Sequence, residues 1–426
     1  MNLTPEQQAI LDGSRGETMA KVMESLVVYG DTFRAQRMVP VTSTYGHTVI
    51  SFGLGIMKPV YDLYDKLIDA GLTNGQKFTA DPRPIDPKVP VKPIEKLVFN
   101  KFMYSAQDRL EEQLRALGIT SDHDYTCTCY LDQVGNVPKR GDVLSWAESS
   151  AVVYANSVLG ARCNRNSGIF ELFGSITGFV PEFGLLTDEG RKATWVVEVR
   201  CENKPEAQLL GSAIGMKVME EVPYVKGLDK WLGTELDEKT CTYLKDFGAA
   251  TASNGAVGLY HIDGLTPEAK ELGETLIAEN AKVYVIDDAE LERVKSEYPV
   301  IWKNPDAKPE LCFVGCPHMT ITQLNEWTEA ISEKLRANEL DKVTVPTVFT
   351  ASPAVIREFE KGTNYYRLKS MGVVLSYICP LMYMNNPLCK KKAVITCSNK
   401  LRTYTSARYY TESDILDIIT SKEAKK

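Results

Sequence analysis

Residues 311–323, LCFVGCPHMTITQ, decide how the rest of the chain is read. Leu311 to Val314 form a short apolar run, and Gly315 ends it by permitting a tight exit from a strand. Pro317 stiffens the corner that follows. Thr320 and Gln323 have the spacing of a capping box, so a helix is predicted over 322–335. A strand, a rigid corner and a capped helix in succession are the repeating unit of a parallel α/β sheet. The corner holds Cys316 and His318. They read either as ligands on a preset loop or as an ordinary turn in which His318 caps its own loop.

The same alternation extends in both directions. Short apolar runs predict strands at 38–41, 125–131, 195–201, 257–261, 343–349, 373–378 and 393–396, with the first strand of this kind in the quoted stretch at 311–315. Amphipathic segments predict helices at 93–117, 145–159 and 353–371. Thr4-Pro5-x-Gln7 starts a capped helix at the N-terminus. The fold class is therefore α/β, in two to three subdomains with mainly parallel sheets. Lys- and Pro-containing stretches near 203–206 and 303–310 are the expected subdomain breaks, and each reads equally as a surface loop. Residues 422–426 read as a frayed tail.

Composition limits the function. With 426 residues, 44% of them hydrophobic, the chain can bury a large core. A net charge of -7 argues against a partner held by its phosphate backbone, so no nucleic acid is expected. No apolar run approaches the roughly 20 residues that span a bilayer, and the N-terminus is polar where a signal peptide would be apolar. The expected location is the cytoplasm, without membrane contact. There the ten cysteines read as thiols or metal ligands, not as a disulfide framework. The absence of any C-x-x-C pair removes zinc-ribbon and thioredoxin readings.

Three cysteines sit where a strand signal gives way to a loop: Cys127 in DYTCTCYLD, Cys316 in the opening stretch, and Cys379 in VVLSYICPLM. Ligands of open α/β sheets bind at the carboxyl ends of strands, so these distant residues could converge there. The segment 145–168, SWAESSAVVYANSVLGARCNRNSG, carries a further pattern. Ser145 and Glu148 have capping-box spacing, and Ser149 and Ser150 would set hydroxyls and free N–H groups at a helix start, which suits a substrate carboxylate. Arg162 reads as the bidentate partner of an acid or as a structural ion pair.

These segments resemble the aconitase X enzymes, a branch of the aconitase superfamily. The resemblance runs through LTPEQQAILDGSRGETMAKVMESLVVYGD, MVPVTS, FTADPRPID, CTCYL, WAESSAVVYANSVLGAR, GCPH, Cys379-Pro380 and TCSNKLRTY. It implies an aconitase-like catalytic region and a hydro-lyase that dehydrates a small hydroxy acid. It also implies an iron–sulfur cluster, of the 4Fe–4S type, held by Cys127, Cys316 and Cys379 with one position open to substrate. By the same resemblance Ser51, Asp81, Pro82, Glu148, Ser149 and Lys400 fall at substrate contacts, with Glu148, Ser149 and Lys400 taken as catalytic. His47, Arg162 and Ser398 are added as substrate-binding neighbours. Cys129 and Cys397 depart from the family pattern, which has proline and asparagine there.

Dehydration needs a Lewis acid for the departing hydroxyl and a base for the adjacent C–H. The resemblance implies that the base is a serine on a small swivelling domain. No counterpart of that serine-rich loop is found in this sequence, so a separate small subunit is the expected partner and the chain alone is expected to be inactive. Two substrates are implied, cis-3-hydroxy-L-proline and mevalonate 5-phosphate. Asp81 would pair with a ring ammonium and repel a phosphate, which makes hydroxyproline the preferred expectation. Two other classes stay open: a metal-binding scaffold without turnover, and an enzyme using a low-pKa cysteine beside His318.

Overall fold

The strand predicted at 311–315 runs on to Met319, as Leu311–Met319, and lies in the middle of a five-stranded parallel sheet in the computed structural model, which describes residues 1–49, 52–73 and 76–422. The order across that sheet is Val373–Ser376, Thr347–Ala351, Leu311–Met319, Val394–Thr396 and Arg408–Tyr409. Cys312 pairs with Thr347 on one side and with Ile395 on the other. Both faces are covered, because Cys312, Val314, Phe349 and Ile395 pack in one apolar cluster while Leu311, Phe313, Val348 and Val394 pack in another. Strands buried on both faces read as continuous apolar runs, which is why they were legible.

A second parallel sheet has the order His261–Ile262, Pro223–Lys226, Ala193–Val199 and Ile277–Ile286. The helices Ala207–Val218 and Glu238–Asn254 lie together against it. Their approach depends on glycine: a Cβ on Gly211 would stand 2.3 Å from the Phe247 carbonyl oxygen. Two short pairs complete the framework, Tyr45–Thr48 parallel to Lys77–Ala80 and Met38–Pro40 antiparallel to Phe179–Pro181. Among the described residues no helix is long and apolar enough to cross a membrane.

Several expectations are corrected. The run at 125–131 is not a strand; a single bridge joins Tyr125 to Ala80, with the Thr126 N–H donating to the Ala80 carbonyl (2.7 Å), and the chain then turns, the Thr128 N–H donating back to the Thr126 hydroxyl (3.1 Å). The helix expected at 93–117 is broken into Pro93–Leu97, a π-helical turn Val98–Met103, and Gln107–Leu117. Gly362 interrupts 353–371, leaving Pro353–Phe359 and Thr363–Ser370. The capping boxes at Thr4/Gln7 and Thr320/Gln323 are present. That at Ser145/Glu148 is not: Glu148 is itself the cap, and Ser145 donates to the Glu171 carbonyl.

Candidate active site

Three strands of the five-stranded sheet end at one cavity. Cys316 stands within the Leu311–Met319 strand, Cys379 follows Val373–Ser376, and Lys400 follows Val394–Thr396. The Tyr45–Thr48 and Lys77–Ala80 pair brings Val49 and Asp81 to the same place, and the start of the helix Ser149–Ser157 brings Glu148 and Ser149. The cavity holds about 430 Å³ and is lined by Asp81, Pro82, Cys127, Glu148, Ser149, Cys316, His318, Cys379 and Lys400, with Tyr404 and Asn385 beside them. A larger cavity of about 570 Å³ lies between Glu206, Asp246, Trp327 and Glu412. It contains no such convergence of thiols with an ion pair, so the smaller one is the candidate active site.

Local chemistry fixes each cysteine. Gly315 has φ +106°, and a Cβ there would stand 2.4 Å from the Thr350 carbonyl oxygen, so only glycine allows the bend that turns Cys316 inward. Gln208 and the Ser398 hydroxyl donate to the Cys316 carbonyl. The Cys379 N–H donates to the Arg83 carbonyl, and Cys379 caps the helix Pro380–Met384. His318 joins the other two loops. Its backbone N–H points at Cys127 Sγ (3.4 Å), its Nδ1 meets the Thr126 hydroxyl (3.0 Å) and its Nε2 meets the Ile378 carbonyl (3.1 Å). A carbonyl can only accept, so Nε2 carries the proton and Nδ1 accepts from Thr126. Burial lowers the His318 pKa to about 4, which keeps the ring neutral. With both nitrogens engaged, His318 is a brace for the cysteine loops. It is not positioned as a base for a thiol, and burial pushes the Cys127, Cys316 and Cys379 thiols up, opposite to an activated nucleophile.

The three thiols lie within electrostatic reach of one another in every pairing. Among the described residues no group of three or more His, Cys, Asp or Glu meets as it would around a single ion. A polynuclear cluster takes one thiolate per iron, so cysteines arrayed around a cavity without meeting at a point suit it. Three thiols on separate, braced loops fit the implied group.

Beside them lies a buried ion pair. Lys400 donates to Glu148 Oε1, which also accepts from the Ser150 hydroxyl (2.6 Å) and backbone N–H (3.2 Å). Burial alone would raise the Glu148 carboxyl, but the Lys400 charge and these hydrogen bonds outweigh it and bring it down to about 2. Burial opposes the Lys400 charge, and Glu148 with the nearby thiols outweighs it, so the ammonium is held. Asp81 behaves in the opposite way: burial and the charge of Glu148 push its pKa well above the carboxylate range. Asp81 Oδ1 and His47 Nε2, 3.8 Å apart, are both buried without a hydrogen-bond partner. His47 is oriented by Thr79 at Nδ1 (2.8 Å) and lowered to about 4 by burial.

Other expected residues lie elsewhere. Arg162 donates to the Leu186 carbonyl (3.0 Å) and pairs with Asp188, so its guanidinium is spent on the scaffold and does not line the cavity. Ser398 is buried and used twice, accepting from the Leu401 N–H as a helix cap and donating to Cys316. It does not present its hydroxyl to the cavity. Ser51 lies outside the described residues. Tyr404 and Asn385 were not foreseen. Tyr404 is four residues after Lys400 and therefore on the same face of that helix, a signal the sequence did contain.

Comparison with known proteins agrees with this geometry. Sequence profiles described as Aconitase X first domain and Aconitase X second domain match residues 1–189 and 193–296. The phosphomevalonate dehydratase large subunit of Thermococcus kodakarensis is 33% identical over 357 residues, covering 83% of this chain and 82% of that protein. A cis-3-hydroxy-L-proline dehydratase of Hypocrea jecorina is 34% identical over 207 residues, covering 47% of this chain and 33% of that protein. The crystal structure of Thermococcus kodakaraensis aconitase X in its holo form superposes with a TM-score of 0.80 at 27% identity, covering 99% of this chain and 100% of the other.

Proposed function

The chain belongs to the aconitase X family and is a hydro-lyase, and on that premise we propose that it is the large subunit of a mevalonate 5-phosphate dehydratase. The observation that carries the reading is the meeting of Cys127, Cys316 and Cys379 with the Glu148–Lys400 pair at one cavity. The choice of substrate follows the relatives: those similar over most of their length are named phosphomevalonate dehydratase large subunits, whereas likeness to the hydroxyproline enzymes covers a minor part of theirs. Asp81 no longer argues for hydroxyproline. Held neutral by burial, it neither pairs strongly with an ammonium nor repels a phosphate.

In this reading Cys127, Cys316 and Cys379 hold the iron–sulfur cluster. When bound, such a cluster supplies a Lewis acid for the substrate hydroxyl. Ser149, on the cavity wall beside Lys400, binds the substrate carboxylate. Lys400 remains cationic beside Glu148 and offsets the negative charge that develops in the cavity. Asp81, held neutral by burial, gives a proton to the departing hydroxyl, which leaves as water; His47 lies behind it, 3.8 Å away and without a hydrogen bond to it. Pro82 shapes the wall next to it. The proton on the adjacent carbon goes to a base on a separate small subunit, a partner suggested by the relatives' names as large subunits.

The chain should therefore be purified anaerobically, combined with its small subunit, and assayed on both candidate acids. Dehydration of mevalonate 5-phosphate that requires the small chain and saturates near equimolar addition is expected. Turnover of cis-3-hydroxy-L-proline alone would overturn the substrate, and full activity of the large chain by itself would overturn the shared site.

A further inference from the structure

Lys400 stands in the first turn of a helix of six residues, Asn399–Tyr404. So short a helix is not stable on its own, and its orientation is set by what it packs against. It packs against the helices Ala207–Val218 and Glu238–Asn254, which lie with the second sheet. Toward its end, Asn254 accepts from the Arg402 guanidinium and from the Thr403 hydroxyl (2.9 Å). At its start stands Gln208.

Gln208 is 9% exposed, and both ends of its amide are in use. Nε2 donates to the Cys316 carbonyl (3.3 Å), and Oε1 accepts from the Asn399 N–H (3.0 Å). The partners decide which end is which, because a carbonyl only accepts and a backbone N–H only donates. The Asn399 side chain returns the contact by donating to the Gln208 backbone carbonyl (2.9 Å). One buried amide therefore joins the corner that carries Cys316 to the residue next to Lys400. Ser398 donates to the same Cys316 carbonyl, but it caps the Lys400 helix and moves with it. Gln208 is anchored outside both parts. From the neighbouring helix Lys245 donates to the His318 carbonyl (3.1 Å), so the carbonyls before and after Pro317 are both held from the second sheet.

What such a joint controls is distance. Lys400 and the three thiols line one cavity, and the ammonium acts on Cys127 and Cys316 across it. The interaction of charges falls with their separation and is strong where water is excluded. We infer that Gln208 is a positioning residue, which fixes the separation between the Lys400 ammonium and the cluster held at Cys316, with the helices of the second sheet as the frame. This rests on the reading of Cys127, Cys316 and Cys379 as cluster ligands.

The test compares wild type, Gln208→Met, Gln208→Asn and Asn254→Ala, purified anaerobically and combined with the small subunit. Iron and acid-labile sulfide are measured with the cluster's midpoint potential, by a titration followed by electron paramagnetic resonance. Kinetics are read on whichever acid the wild type dehydrates. Gln208→Met should keep wild-type iron and sulfide, and its potential should fall because the cation stands farther off. Its kcat should fall roughly 10-fold with KM little changed. Gln208→Asn keeps the amide but is a methylene too short to reach both partners, so it should shift the same way. Asn254→Ala frees the far end of the helix without touching Cys316, and should lower the melting temperature with potential and kcat near wild type. An unchanged potential in both Gln208 variants, or a kcat that falls only in proportion to iron, would overturn the inference. Equal shifts in Asn254→Ala would overturn it too, since packing of the whole helix would then be responsible. Wild type that carries the cluster but dehydrates neither acid would leave the potential to decide. Wild type without iron and sulfide would overturn the cluster reading itself, and this inference with it.

Discussion

At the scale of single residues, the site depends on one buried ion pair. Glu148 and Lys400 are 8% and 6% exposed, so neither charge has water to fall back on if the other is removed. Lys400→Met should cost about 3–5 kcal/mol in urea unfolding, because it leaves Glu148 buried and unpaired. The double variant Glu148→Gln/Lys400→Met should recover most of that stability while remaining inactive. If the double variant were as unstable as the single one, the pair would not be the source of the loss. Cys127, Cys316 and Cys379 stood out as thiols at strand ends and Glu148 at a helix start, whereas Asp81, Pro82 and Lys400 came only from the resemblance to the aconitase X family. Which of them face the cavity was not legible. Arg162 reads from sequence either as a substrate partner or as a structural arginine, and only its partners Leu186 and Asp188, distant in sequence, decide for the scaffold. The donation of Ser398 to the Cys316 carbonyl is likewise a tertiary fact, although its cap on the Leu401 N–H is local.

At the scale of elements, the strand exit at Gly315 and the joint around Glu171 carry the geometry. Gly315→Ala would set a Cβ against the Thr350 carbonyl at a φ that L-residues rarely adopt. It should destabilise by more than about 1 kcal/mol and displace Cys316, with iron content falling as well. Unchanged stability and iron content would show that the bend is not needed. Glu171, in the helix Phe170–Thr177, accepts at Oε1 from the Thr48 hydroxyl (2.8 Å) and the Val49 N–H (3.2 Å), while Oε2 is buried without a partner. Burial raises its pKa from 4.5 to about 8. The unfolded chain releases this proton first, so the contribution to stability is full below pH 4.5 and is lost as pH rises to about 8. Glu171→Gln should flatten that slope, worth on the order of a few kcal/mol, in urea midpoints measured between pH 5 and pH 8. A wild-type slope equal to that of the variant would count against a buried neutral acid. Most elements buried on both faces were read from sequence, but at 257–261, although buried, only His261 belongs to a strand (His261–Ile262), and short strands such as Tyr45–Thr48 and Pro223–Lys226 gave no continuous apolar run and were missed. The false strand at 125–131 was apolar enough, but after Thr126 bonds the Ala80 carbonyl the Thr128 N–H turns back to the Thr126 hydroxyl, and among the described residues no strand pairs with it beyond that bridge.

At the scale of the whole molecule, the site exists only because separate parts of the chain meet. The loop carrying Cys127 is joined to the Lys77–Ala80 strand by the bridge between Tyr125 and Ala80, Cys316 and Cys379 come from the five-stranded sheet, and His318 ties the three loops together through Thr126 and Ile378. The parallel arrangement foreseen from the alternation of strands and helices explains why the carboxyl ends of these strands share a cavity. Cys129 is fully buried in another core, and Cys397 lines the other cavity, so neither departure from the family pattern lines the cavity where the three thiols meet. The most direct measurement is iron and acid-labile sulfide per chain in anaerobically purified protein, for wild type and for the serine variants of Cys127, Cys316, Cys379, Cys129 and Cys397. Loss of iron, sulfide and visible absorbance in the first three variants, with retention in the last two, is the predicted result. Wild-type iron and sulfide in all of the first three, or their loss in Cys129→Ser or Cys397→Ser instead, would contradict the account.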